Sequence, residues 1–180
     1  MRFSIPVLLA LSAAAQGGEG WRQEGGFWVY VEKGSACQSP TRLKVLTGGR
    51  LTVEPSHSSA LDYTFTRRTR AASREDAQRR LPASAVRAVQ QGEWCVVLTA
   101  DSSSGDQPAG DLRVSVPASV LESRIETRSG GLRARGLRGD ISLATGAGSV
   151  QLEDLSGAVS ARTGGGAIDA GRLDGSLHCL

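Results

Sequence analysis

Residues 125–180 repeat with a period of 18 residues, with a first repeat that is two residues shorter and a fourth that is cut short. Apolar residues recur at equivalent positions and form four columns. These columns are Ile125, Ile141, Val159 and Leu177; Leu132, Val150 and Ile168; Ala134, Leu152 and Ala170; and Leu137, Leu155 and Leu173. A fixed period with matched apolar columns is typical of a stacked solenoid, because one repeat alone cannot bury its apolar edge. We therefore expect residues 118–180 to form rungs of a right-handed-type β-solenoid, or β-helix.

Two further features of the repeat support stacking of the rungs. Glycines occupy one corner position of each repeat and permit a positive φ there, at Gly139, Gly157 and Gly175. Opposite charges also align, with Arg135 over Glu153 and Asp154 over Arg172. Such pairs favour the register by a few tenths of a kcal/mol each, and as surface pairs they indicate little about function.

Residues 27–117 alternate apolar and polar side chains in the manner of β-strands. Two alternating runs, at 42–45 and 51–54, flank Thr-Gly-Gly-Arg at 47–50, which predicts a β-hairpin. Two more strands are predicted on either side of a turn at 91–93. This region is therefore predicted to be a β-rich module that precedes the solenoid.

A short helix is predicted at residues 73–81. Ser73 can cap its first turn, Asp76 follows three residues later, and Ala77 and Leu81 lie four residues apart. Acidic residues in the first turn and arginines in the last suit the helix dipole. The expected fold class is thus all-β with one short helix.

The first residues resemble a targeting segment. Arg2 supplies a positive charge, an apolar stretch follows at 3–14, and small residues precede Gln16, so residues 1–15 are predicted to be a signal peptide. The alternative is a short buried helix or strand. Residues 16–26 are rich in Gly and charge and are predicted to be a flexible lead. No apolar run reaches about 18 residues, so no transmembrane segment is expected after cleavage. The mature chain is expected to be exported, to the periplasm or to the cell surface or extracellular space.

The charge pattern argues against a nucleic-acid partner. The formal net charge is only +3, and basic and acidic residues are interspersed along the chain. A nucleic-acid-binding protein is expected to cluster its basic residues on one stripe with aromatic residues between them.

The chain has three cysteines, Cys37, Cys95 and Cys179. An exported protein meets an oxidising compartment, so one disulfide is compatible with this number, and one thiol then stays free or pairs elsewhere. Cys179 shares a repeat column with Thr127, Leu143 and Ala161 and is therefore expected to be a small buried residue. Cys37 and Cys95 remain as the candidate disulfide pair.

Motifs for catalysis, cofactors or metals are not found in the sequence. The two histidines, His57 and His178, lie in a loop-like segment and near the end of the repeat, and we predict no catalytic, cofactor-binding or metal-binding residues. The Thr-Gly-Gly-Gly run at 163–166 lacks the Lys of a phosphate-binding loop and is better explained as a turn between strands. The acidic residues are scattered and each lies near an arginine, which disfavours an enzyme acting on polysaccharides.

Three segments resemble the bacterial putative-adhesin domain family of unknown function. They are R-R-T-R-A-A-S-R-E-D-A at 67–77, G-D-L-R-V-S-V-P at 110–117 and E-T-R-S-G-G-L-R-A-R-G-L-R-G-D at 126–140. The resemblance covers roughly residues 40–180. It implies a short β-rich lead followed by a β-helix-like repeat, and it implies no catalytic residues.

The sequence predicts an exported, non-catalytic β-solenoid that acts as an adhesin-like interaction scaffold in the cell envelope, because solenoids present long repetitive faces. Its partner would be an envelope or extracellular polymer or protein, and an acidic polymer would bind weakly and with salt sensitivity. The expected interaction face consists of outward arginines, namely Arg128, Arg133, Arg135, Arg138 and Arg162. One alternative is a structural protein that forms homo-oligomers by stacking through its open last rung. A second alternative is a polysaccharide-active β-helix enzyme.

Overall fold

A computed structural model describes residues 20–81, 85–99 and 110–180, and these contain fifteen strands and one helix. The elements are β1 (Gly20–Glu24), β2 (Phe27–Gln38), β3 (Arg42–Thr47), β4 (Leu51–Ser56), β5 (Ala60–Thr69), α1 (Arg74–Arg80), β6 (Val86–Gln91), β7 (Trp94–Thr99), β8 (Asp111–Pro117), β9 (Glu122–Thr127), β10 (Leu132–Arg135), β11 (Arg138–Thr145), β12 (Val150–Glu153), β13 (Leu155–Thr163), β14 (Ile168–Ala170) and β15 (Leu173–Cys179). The predicted signal peptide, residues 1–15, lies outside the described residues.

The strands form two mixed sheets. One sheet has eight strands in the order β1-β2-β5-β8-β4-β10-β12-β14, and the other has seven in the order β15-β13-β11-β9-β3-β7-β6. The pairs β1–β2, β2–β5, β5–β8 and β6–β7 are antiparallel, and the other pairs are parallel. Inward side chains of both sheets share one hydrophobic core, in which Leu43, Leu51 and Phe65 are fully buried. The prediction of an all-β chain with one short helix is confirmed.

The 18-residue spacing appears directly in the strand register. Leu132 pairs with Val150 and Val150 with Ile168, as the apolar columns predict. The first repeat is an exception, because Ile125 pairs with Leu143 and not with Ile141. The spacing is therefore 18 residues from the start, and the prediction of a shorter first repeat is wrong. A shift of two residues keeps the inward face of a strand inward, so hydrophobicity alone could not distinguish the two registers.

A column of threonines at the strand ends explains why the first repeat pairs at the 18-residue spacing and not at a spacing two residues shorter. Thr127 pairs with Thr145, and Thr145 pairs with Thr163. The Thr145 hydroxyl donates to the carbonyl of Gly130 at 3.1 Å, and the Thr163 hydroxyl donates to that of Gly148 at 2.8 Å. Each bond satisfies a turn carbonyl of the neighbouring repeat, so the aligned threonines hold successive turns in register.

The predicted hairpin at 47–50 is wrong. β3 and β4 lie in different sheets, β3 between β7 and β9 and β4 between β8 and β10, and all four pairings are parallel. The Thr47 turn matches the turns of the later repeats, and the Thr127 hydroxyl donates to the Gly49 carbonyl within it. Consequently both sheets continue across residue 118, where the sequence analysis divides the chain into two modules.

The segment 16–26, expected to be flexible, contains a strand. β1 pairs antiparallel with β2, and Gly25 and Gly26 form the connecting turn with φ of 52° and 82°. Two consecutive residues with positive φ are what a tight hairpin needs, and glycine adopts them readily. The ring of Trp21 also lies 4.9 Å from that of Tyr30, which ties β1 to the sheet.

Two local predictions in the middle of the chain are confirmed. The helix runs from Arg74 to Arg80, and the Ser73 hydroxyl accepts the Asp76 backbone N–H at 3.2 Å. Ala77 packs this helix onto the core. The strands around residues 91–93 form the antiparallel hairpin β6–β7.

The cysteines separate into a bonded pair and one thiol. Cys37 and Cys95 form a disulfide with their Cα atoms 5.8 Å apart, which links β2 of one sheet to β7 of the other. Cys179 is exposed, so the prediction that it is buried is wrong. Its column partner in β13 is Ala161, as expected, but β15 is the outermost strand of its sheet in the described chain and nothing there covers its inward side.

Candidate interaction surface

Five basic side chains meet on the outward face of the eight-stranded sheet. They line a shallow groove of about 520 Å³, which we call the basic patch, and they are Arg22, Lys33, Arg50, Arg68 and Arg113. Three threonine side chains complete its polar floor, namely Thr52, Thr64 and Thr66. One acidic residue, Asp111, lines the same groove. The surface therefore has a clear excess of positive charge.

Strand alternation places these side chains outward. In β4, Thr52 lies between the buried Leu51 and Val53, and in β8, Arg113 lies between buried residues of the same kind. Successive side chains of a strand point to opposite faces, so burying the aliphatic residues exposes the polar ones. The patch draws on β1, β2, β5 and β8 together with β4 and the residue before it, segments that are distant in sequence.

Most cations of the basic patch form no ion pair with an acidic side chain among the described residues. Arg22 pairs with Glu24 on its own strand, and Arg113 lies 4.0 Å from Glu54. Lys33, Arg50 and Arg68 form no ion pair with any residue that the structure describes. These side chains can therefore engage an external anion without first breaking an internal ion pair.

The structure does not bring the predicted arginine face together. Arg133 and Arg135 lie on β10, on the outward face of the eight-stranded sheet. Arg138 and Arg162 belong to β11 and β13 of the other sheet, and Arg128 lies in the turn after β9. Only Arg133 adjoins the basic patch, because it lines a second groove together with Arg50.

Both arginines of β10 pair with acidic residues. Arg133 donates to Glu153 at 3.0 Å, and Arg135 lies 3.9 Å from Asp154, which also pairs with Arg172 at 2.9 Å. The hydrogen bond from Arg133, together with its positive charge, holds the pKa of Glu153 below its usual value of 4.5. Arg135 pairs with Glu153 in the strand register, as predicted, but its ion pair is with the neighbouring aspartate.

The histidines do not form a site in the structure. His57 is exposed in the bend after β4, and His178 is exposed on β15. Among the described residues no group of three His, Cys, Asp or Glu side chains is arranged to hold a metal ion.

Two charged side chains that the sequence pattern did not single out, those of Arg67 and Glu32, are buried at the β2–β5 end of the eight-stranded sheet. The Arg67 guanidinium lies over the rings of Tyr30 and Phe65, at 5.5 and 5.6 Å. Glu32 accepts the backbone N–H of Ala85 at 3.0 Å and is only 5% exposed. These contacts stabilise the junction of β2, β5 and the segment before β6, and the alternating sequence gave no sign of charge on the inward face.

No protein-family model matches the chain, and no curated protein matches it either. Solved structures with a similar arrangement include a putative cell adhesion protein from Clostridium sporogenes ATCC 15579, with 8% identity, a TM-score of 0.48, and coverage of 83% of this chain and 99% of that one. A putative adhesin from Bacteroides fragilis NCTC 9343 has 6% identity, a TM-score of 0.33, and coverage of 84% and 97%. A putative lipid binding protein from Parabacteroides distasonis ATCC 8503 has 9% identity, a TM-score of 0.33, and coverage of 83% and 96%. These similarities assign no function to the chain.

Helix α1 has seven residues, and no helix in the described residues is long and apolar enough to cross a membrane.

Proposed function

We propose that this chain is an exported, non-catalytic β-solenoid that acts as an adhesin-like interaction scaffold. Its ligand is an acidic polymer of the cell envelope or the surroundings, and the binding surface is the basic patch on the eight-stranded sheet.

The parallel ladders support the solenoid part of this proposal. From β9 onward each repeat contributes one strand to the seven-stranded sheet and the next to the eight-stranded sheet. The register advances by 18 residues at each step, from Leu132 to Val150 to Ile168. Successive coils of a solenoid stack in this way and bury apolar columns between the two faces.

The basic patch is the observation that carries the binding part. Several exposed cations on one flat face create a positive potential that attracts polyanions. Isolated surface ion pairs contribute only about 0–1 kcal/mol each, so the affinity depends on many weak contacts along a polymer. Because salt at about 0.15 M reduces the screening length to about 8 Å, binding should be strong at low salt and weaken steeply as salt is added.

The test is a charge reversal on the patch with a matched reversal on the opposite sheet. The double variant Arg68→Glu, Arg113→Glu should lose most of its binding to a soluble acidic polysaccharide, measured by interferometry in about 20 mM and about 300 mM salt. The control is Lys44→Glu, Arg124→Glu, which makes the same charge change at paired outward positions of β3 and β9. The side chains of Arg113 and Arg124 are equally exposed, at 64% and 63%.

The control variant should keep its binding, and neutral dextran should not bind to either protein. Equal loss in the two double variants would mean that net charge alone governs binding. Full retention of binding in the Arg68→Glu, Arg113→Glu variant would refute the assignment of the surface.

A further inference from the structure

Seven outward residues form one straight row across the eight-stranded sheet, because each is the register partner of the next. In order from β2 to β14 the row is Lys33, Thr64, Arg113, Thr52, Arg133, Gln151 and Asp169. We call this set the cross-strand row. It runs perpendicular to the strands, since register partners lie side by side.

Three shallow grooves follow the cross-strand row and overlap. The groove of the basic patch contains the first four members of the row, a second of about 480 Å³ contains Thr52, Arg133 and Gln151, and a third of about 520 Å³ contains Arg133, Gln151 and Asp169. Neighbouring grooves therefore share residues, and we call the three grooves together the trough. A flexible chain lying in this trough would cross the strands and not run along them.

The cations of the row are regularly spaced. Lys33, Arg113 and Arg133 lie on β2, β8 and β10, which are separated each time by one intervening strand. Neighbouring strands are about 4.8 Å apart, so the backbone positions of successive cations are about 9.6 Å apart along the row. The intervening strands present the hydroxyl groups of Thr64 and Thr52. The row thus alternates a positive charge with a neutral hydrogen-bonding group.

One side of the row carries three carboxylates and one arginine. Two residues further along the strands, Asp62 pairs with Ser115 and Ser115 with Glu54, and Arg135 pairs with Glu153 at the corresponding positions of β10 and β12. Glu54 and Glu153 also form ion pairs with two cations of the row, Arg113 and Arg133. A polyanion in the trough would therefore compete with these two exposed carboxylates for the arginines, and such exposed ion pairs contribute only about 0–1 kcal/mol each.

We propose that the trough binds a linear acidic polysaccharide with a carboxylate on every second sugar. This inference rests on the proposed function and specifies its ligand. The spacing of the backbone positions that carry the cations is close to the length of a disaccharide in an extended chain, so each carboxylate would meet a cation while the neutral sugar between them meets a threonine. The row contains no aromatic side chain, whereas proteins that bind single-stranded nucleic acids stack bases on aromatic rings.

The ligand test compares two oligosaccharides of equal length that differ in charge spacing. A hyaluronan hexasaccharide has one carboxylate per disaccharide, and a hexagalacturonate has one on every sugar. Isothermal titration at low salt should show the hyaluronan hexasaccharide binding at least about threefold tighter, although it has half the charge. Tighter binding of the hexagalacturonate, or of a short DNA duplex, would overturn the spacing inference but leave the proposed polyanion binding intact. If none of these polyanions binds, the proposed function fails as well.

Two point variants test the direction of the trough. Arg113→Gln removes a cation from the row and should weaken hyaluronan hexasaccharide binding about threefold, whereas Arg135→Gln, on the same sheet face but outside the row, should leave it unchanged. Their side chains are similarly exposed, at 64% and 60%. Equal losses in the two variants would overturn the inference.

A third variant, Thr52→Lys, tests the spacing of the cations. It adds a cation on an intervening strand and should shift the preference towards hexagalacturonate. An unchanged preference in this folded variant would also count against the inference.

Discussion

Replacing Gly157 by alanine tests how closely the strands of the seven-stranded sheet must approach each other. Gly139, Gly157 and Gly175 occupy equivalent positions of β11, β13 and β15 and pair with one another. Their φ angles are 92°, 115° and 136°, a region that residues with a Cβ rarely adopt. A Cβ built on Gly157 would also overlap the carbonyl oxygen of Gly139, which is backbone and cannot rotate away.

Both effects add to the cost of the substitution. Holding an alanine at this φ costs about 1–3 kcal/mol. Separating the strands enough to relieve the overlap breaks about two backbone hydrogen bonds, which are worth about 0.5–1.5 kcal/mol each. We expect a loss of about 4 kcal/mol from a total stability of about 5–15 kcal/mol. For a chain of this length the melting temperature should fall by roughly 12 °C.

The measurement is urea unfolding followed by circular dichroism, with Gly165→Ala as the control. Gly165 lies in the turn after β13, where an added Cβ meets no atom within 4 Å and φ is not in the left-handed region. The control should be neutral or stabilise the fold by up to about 1 kcal/mol, because alanine restricts the unfolded chain. A loss of less than about 1 kcal/mol in Gly157→Ala, or equal losses in the two variants, would refute the reasoning.

Three further predictions concern the threonine column, the disulfide and the ion pairs of β10. Thr145→Val keeps the shape of a buried side chain but leaves a turn carbonyl without its donor, so urea unfolding should show a loss of about 1–2 kcal/mol. Reduction of the Cys37–Cys95 disulfide, whose cysteines are 58 residues apart, should destabilise the fold by up to about 4 kcal/mol, seen as a lower melting temperature with reductant and no such change in the double serine variant. The folded-state pKa of Glu153 lies below its ordinary value of 4.5, so its stabilising contribution is complete above that value and is lost as pH falls through the folded pKa. Arg133→Gln should raise the pKa of Glu153 in a carboxyl NMR titration, and an unchanged value would contradict the assigned hydrogen bond.

The repeat of residues 125–180 predicts much of the strand pairing, because each aliphatic column must be buried between rungs. Leu132, Val150 and Ile168 pair as their spacing requires. The pairing of β3 and β4 with later strands could not be derived in the same way. A Thr-Gly-Gly turn between two alternating runs is also compatible with a hairpin, and the choice depends on residues more than 70 positions away, such as Leu132, the register partner of Leu51.

The basic patch, too, could be predicted only in part from the sequence. The sequence indicates that Arg113, between Leu112 and Val114, points outward from its strand. It does not indicate that Lys33 and Thr52 lie on the same face nearby, since that depends on the order of strands in the sheet. The arginines that are close together in sequence, such as Arg135 and Arg138, belong to strands of different sheets.

The position of β3 and β4 constrains how the chain can fold while it is being synthesised. Each of these strands is flanked on one side by a strand from residues 94–117 and on the other by a strand from residues 122–135. Until the later segment has left the ribosome, both strands keep an unpaired edge that can recruit another nascent chain. Folding therefore cannot proceed coil by coil from the first residue, and pairing between distant segments makes it slow. A fragment that ends at residue 117 should aggregate, whereas the chain extended to residue 135 has the partners for both edges.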